Sequence, residues 1–141
     1  MEMQLFMAKL CENVRMNERN RFVLDGLFHY ILLSEYPTEH PPAFCVVEIG
    51  LDADLGNREI ALSVRLKNPA GDVIQSVTSP PQRHGIGPFG HSVRIMAALI
   101  LQSFKIEYPG LYVVEVLVDE HVVGTDIIAV MTITESGKVI G

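Results

Sequence analysis

Apolar and polar positions alternate most clearly between Glu107 and Ile133. Leu111, Val113, Glu115, Leu117 and Asp119 share one face, and Tyr112, Val114, Val116 and Val118 share the other. Tyr108-Pro109-Gly110 leads into this run, and a short polar turn, Asp119-Glu120-His121, follows it. Beyond the turn come Val122, Val123, Gly124 and Thr125, then Ile127 to Met131, rich in β-branched side chains. Such side chains fit a pleated, half-buried surface, so the segment predicts a β-hairpin at the centre of a sheet.

The same period runs through the rest of the chain. A first strand is expected over Gln4 to Glu12, with Leu5, Met7, Lys9 and Cys11 on one face and Phe6, Ala8 and Leu10 on the other. Arg15 to Arg21 reads as a polar turn. A second strand starts at Phe22 and continues through Phe28, Tyr30 and Leu32, with a break at Gly26, where glycine predicts a bulge. Tyr36-Pro37 and His40-Pro41-Pro42 force an extended connection, because proline donates no ladder hydrogen bond and restricts its predecessor. Ala43 to Gly50 is a short buried strand, and Asp52 to Asn57 a loop. From Glu59 the residues Ile60, Leu62, Val64 and Leu66 face one way and Glu59, Ala61, Ser63, Arg65 and Lys67 the other, as in a strand wet on one side. Asn68 to Asp72 is a turn, after which Val73 to Val77 pairs back.

Thr78 to Gly90 is the longest irregular region. Ser92 to Ile106 contains good helix formers, yet Val93, Ile95, Ala97, Leu99 and Leu101 also alternate with their neighbours. Read as a strand, it makes Ser92 to Ile133 three successive antiparallel strands. Seven or eight short strands, closely spaced turns and no convincing helix predict an all-β chain, an antiparallel β-sandwich in one domain over residues 1–141.

Composition narrows the function classes. A chain of 141 residues buries a self-sufficient core, and 48% hydrophobic with 20% charged residues belongs to a globular protein. A net charge of -6 disfavours nucleic acid and anionic membranes, with Arg15, Arg19 and Arg21 the only basic cluster. The N-terminus lacks the basic leader and apolar run of a signal peptide, and no run has the length of a membrane span. Cys11 and Cys45 sit in apolar strands and read as buried free thiols. Cytoplasm is the expected location.

Leu10-Cys11-Glu12, Leu24-Asp25-Gly26-Leu27-Phe28, the Tyr36-Pro37…Pro41-Pro42 connection and Tyr108-Pro109-Gly110-Leu111-Tyr112…Val118-Asp119 together resemble a family of small uncharacterised bacterial proteins. The resemblance spans most of the chain and implies an immunoglobulin-like sandwich. Its motifs are strand ends and turns, so it implies no activity. Glu120-His121 replaces the glycine-rich turn usual after the aspartate. Tyr112, beside the Pro109-Gly110 corner, is loosely similar to the tyrosine corner of immunoglobulin-like folds.

The candidate chemistry is sparse. His29, His40, His84, His91 and His121 show no close pair of the kind that pre-forms a zinc site. Asp52, Asp54, Asp119, Glu120 and Asp126 could converge on calcium at one end of a sandwich, but Asp52 to Asn57 lacks the closing glutamate of a calcium loop. No serine lies in a nucleophile elbow, strand burial raises a thiol's pKa, and Gly85 to Gly90 carries no phosphate-loop lysine. The reading is therefore a non-catalytic protein-binding or assembly module without cofactor or metal. Arg83, His84, Ile86 and Phe89 of the long loop are its candidate contact residues. The expected partner is a protein, including a second copy joined through an edge strand. The alternative is a metal-dependent site built from loop His and Asp residues.

Overall fold

Core side chains two residues apart recur along the strands of the structure, a computed structural model that describes residues 3–52, 58–83 and 92–140. Its strands are β1 (Met3–Met16), β2 (Phe22–Phe28), β3 (Tyr30–Leu33), β4 (Thr38–His40), β5 (Ala43–Asp52) and β6 (Leu62–Lys67), followed by β7 (Val73–Thr78), β8 (Ser92–Leu101), β9 (Phe104–Ile106), β10 (Gly110–Val118), β11 (His121–Ile133) and β12 (Val139–Ile140). The described residues contain no helix. Among the described residues twelve strands stand beside the expected seven or eight, the short pieces β3, β4, β9 and β12 included.

One sheet has the order β2-β1-β5-β8. The other runs β12-β11-β10-β6-β7, with β3 added to β11, and β4 and β9 form a separate two-stranded ribbon. One core joins the two large sheets. Leu10, Cys45, Val47, Ile49 and Leu99 come from the first, and Leu62, Val64, Leu66, Tyr112, Val114, Val116, Ile128 and Val130 from the second. The expected inward set Ile60, Leu62, Val64 and Leu66 is buried throughout.

The β10–β11 hairpin stands at the centre of its sheet, with β6 on its other side. Its turn is tight even without glycine. Asp119 and Glu120 both take positive φ, 47° and 70°, the handedness that matches strand twist. Asp119 is tied down twice: its amide donates to the Ala61 carbonyl and its Oδ1 accepts from the Ala61 amide, at 3.0 and 2.9 Å.

Several expectations are corrected. First, β8 does not lie beside β10. It pairs with β5 over all ten residues, in the opposite sheet. Eight residues separate the end of β8 from the start of β10, too many for a tight hairpin, and within them β9 pairs with β4. Second, the pairing of β1 with β5 shifts between Leu5 and Met7. This bulge turns Leu5 onto the core with Ala8 and Leu10 and turns Phe6 outward, exchanging the faces that strict alternation gives them. Third, the register of β1 and β2 is constant across Gly26, whose φ is +67°, and the chain breaks instead at His29, between β2 and β3. There it passes from one sheet to the other, where β3 pairs with β11 in parallel. The polar turn is also shorter than expected, because β1 continues to Met16 and Asn17 Oδ1 collects the amides of Arg19 and Arg21.

Candidate interaction surface

The outward face of the β2-β1-β5-β8 sheet carries apolar residues across its middle, flanked by Asn13, Arg15 and Asp25 on one side and by Lys9 and Glu48 on the other. Residues in register across it are Leu27, Cys11, Phe44 and Ile100, a row with no charge. The next rows are Lys9, Val46 and Ala98, then Met7, Glu48 and Met96. Cys11 and Val46 point away from the shared core and are nevertheless fully buried by their neighbours on this face. Leu27, Met96 and Ile100 stay exposed, at 57%, 41% and 39%. Contiguous exposed apolar surface of this kind marks contact sites, and methionine adapts to varied partners.

One end of the face is built around Gly50. A Cβ there would meet the Phe6 ring at 2.7 Å, so glycine lets the bulged Phe6 lie on β5. The Arg94 guanidinium stacks over that ring, 3.9 Å from its centroid, and its Nη2 reaches Glu48 Oε1 at 3.0 Å. Cation, ring and carboxylate thus form a rim beside the apolar rows. The signal for this face was present in the sequence: Ala43 to Val47 and Met96 to Leu101 are apolar at every position, as in strands covered on both sides.

The outward side of the opposite sheet mixes exposed apolar residues, Leu111, Ile127 and Tyr30 among them, with a charged and hydroxyl-bearing region. Glu115 lies between Lys67 Nζ, at 3.1 Å, and Arg65 Nε, at 3.4 Å, and the Ser63 and Thr78 hydroxyls meet at 2.9 Å.

Of the loop residues expected to make contacts, Arg83 is exposed just beyond the bridge between Ile60 and Gln82. His84, Ile86 and Phe89 lie outside the described residues, as do His91 and Asp54. Four of the remaining metal candidates are engaged separately. His40 stacks on Phe104 at 4.8 Å, approaches Phe28, and sets its Nδ1 2.7 Å from the Pro41 carbonyl oxygen. His29 packs edge-on against Tyr30. Asp119 holds Ala61, while Asp126 meets Lys9 at 3.5 Å and accepts from the Ile127 amide. No group of three or more His, Cys, Asp or Glu residues gathers among the described residues.

Cys11 and Cys45 are both free and buried. Burial raises the Cys11 thiol, against a partly offsetting backbone hydrogen bond at Asn13, and pushes Cys45 up to about 12. Neither thiol forms a nucleophilic thiolate near neutral pH. No helix among the described residues is long and apolar enough to cross a membrane.

None of the curated proteins matches this sequence. Among solved structures, the chain is similar to the Pseudomonas fluorescens alkylpurine DNA glycosylase AlkC bound to DNA containing an abasic site analog. The identity is 15% and the TM-score 0.43, over 72% of this chain and 27% of that one. The chain therefore spans about a quarter of that glycosylase's length. A family model does match, over residues 6–131, and the chain belongs to the family of unknown function DUF6941.

Proposed function

We propose that this chain is a non-catalytic protein-binding or assembly module, an immunoglobulin-like sandwich that presents the outward face of its four-stranded sheet to a protein partner. The observation that carries the reading is the uncharged, in-register row Leu27, Cys11, Phe44 and Ile100. Buried thiols held in the protonated form and histidine rings engaged in stacking favour binding over catalysis. Two unbridged cysteines favour the cytoplasm.

The immunoglobulin-like assignment rests on strand order. β1-β5-β8 follows the order A-B-E, and β11-β10-β6-β7 follows G-F-C-C′. Tyr112, at the start of β10, donates its hydroxyl to the Tyr108 carbonyl at 2.7 Å, as the tyrosine at an E–F corner does. In that scheme Val114 occupies the position of the second cysteine of antibody domains, which leaves Cys45 of β5 without a bridging partner.

A photoreactive amino acid at Leu27 tests the reading in living cells, with the exposed Val73 of the other sheet as control. A protein adduct at Leu27 and none at Val73 is the expected result. Equal or absent labelling at the two positions would overturn it.

A further inference from the structure

We propose that the open edge of β8 docks β8 of a second copy of this chain, antiparallel about a twofold axis at Ala98. The inference rests on the protein-binding reading and names one partner for it.

An edge strand offers a row of unpaired backbone groups, and folded proteins blunt such edges with charges, prolines, bulges or short length. Among the described residues β8 ends its sheet and is neither short, bulged nor interrupted by proline. It holds ten residues in unbroken register with β5, contains no proline, and carries Arg94 as its one charge. The other edges are blunted. β7 pairs with β6 through a register shift, β2 carries Asp25 and a positive-φ glycine, and β12 has two residues. In the A-B-E-D order of immunoglobulin-like sheets a further strand, D, lies against E. Among the described residues no strand takes that place beside β8.

Self-pairing satisfies both faces of β8. About Ala98, residue numbers of paired positions sum to 196, so Met96 lies opposite Ile100 of the second copy, and Ala98 opposite its own counterpart. On the core side Ile95 meets Leu101 and Ala97 meets Leu99, which keeps apolar residues together. Arg94 faces the exposed Gln102 of the other copy and stays away from its own equivalent. The small Ala98 permits close approach at the axis. A twofold contact closes on itself, so the product is a dimer and not a fibre. Its eight-stranded sheet doubles the apolar face.

The test is a charge swap at two exposed positions, with mass measured by light scattering and folding checked by thermal melting. In M96K/I100K each lysine opposes a lysine across the axis. In M96E/I100K each glutamate opposes a lysine of the other copy. Within one chain the two positions lie about 13 Å apart along the strand, too far to pair internally. The wild type and M96E/I100K are expected to be dimers, with M96K/I100K weakened roughly thirtyfold. Lysines reduce the net charge of -6, so general repulsion would not explain that loss. A monomeric wild type at about 100 µM would overturn the proposal. So would a dimer unaffected by M96K/I100K, or one not restored by M96E/I100K. A monomer whose Leu27 probe still marks a protein would end the self-pairing and leave the protein-binding reading standing.

Discussion

Phe6 lies on Gly50: a Cβ built at the glycine would sit 2.7 Å from Phe6 Cε2 and 3.2 Å from Cζ. The contact fixes a ring that is 42% exposed and carries the Arg94 guanidinium over it. Alanine within a strand is ordinarily worth about 0.5–1 kcal/mol over glycine. Here that gain is offset by displacing the ring and losing its cation–π contact. Gly50→Ala is therefore expected to be more favourable in a Phe6→Ala background than in the wild type, by about 1 kcal/mol. Urea denaturation of the four proteins measures it, and additive effects would show that the ring does not rest on the glycine.

Gly124 answers to a stiffer neighbour. A Cβ there would meet Leu5 at its Cδ2, 2.6 Å away, and at its Cβ, 2.9 Å away. The Leu5 Cβ is fixed to the backbone, so no rotamer change relieves the clash, and β1 must separate from β11. Gly124→Ala should cost about 1–3 kcal/mol, read from the urea midpoint. A neutral result would mean that the two strands do not close against each other here.

The hairpin turn offers a gain. Glu120 takes φ +70° without being a glycine, in a two-residue turn that favours glycine at this position. Glu120→Gly is expected to stabilise the fold by about 1 kcal/mol, visible as a higher melting temperature. Asp119→Gly loses the Oδ1 bond to the Ala61 amide and should gain less or destabilise.

Alkaline pH should weaken the protein through Cys45. Its thiol is pushed from the usual 9.0 up to about 12, chiefly by burial. Between those values the unfolded chain releases the proton and the folded chain keeps it. Stability is thus fully present below about pH 9 and falls above it, at up to roughly 1.4 kcal/mol per pH unit for this group. Denaturation at pH 8, 9 and 10 should show the decline, and Cys45→Ala should reduce it. Thiol reagents should leave native Cys45 unmodified and label it in urea.

Much of this architecture is legible in the residues, for identifiable reasons. The β10–β11 hairpin and β6 announce themselves because one face is wet, so burial is written as alternation: Ile60, Leu62, Val64 and Leu66 against Arg65 and Lys67. The position of β8 is not written that way, since a period of two assigns faces and not neighbours. Nor is the bulge at Phe6, where one added residue reverses every assignment before it. The outward apolar face was harder still. Its strands are apolar throughout, a pattern that fits either a doubly covered strand or a surface awaiting a partner. The contact residues expected in the long loop rest on its length and composition, and of them Arg83 alone falls among the described residues, exposed.

The parallel pairing of β3 with β11 sets Tyr30 beside Ala129 and Leu33 beside Thr132. During synthesis, a chain emerging N-terminus first has Ile31 ready long before Val130, the residue beside which it is buried, has been added. Closure of the second sheet is therefore a late event governed by long-range contacts, which form slowly because so much chain must first be ordered. Until then the growing polypeptide displays its future interior, the interval in which a ribosome-associated chaperone would matter most.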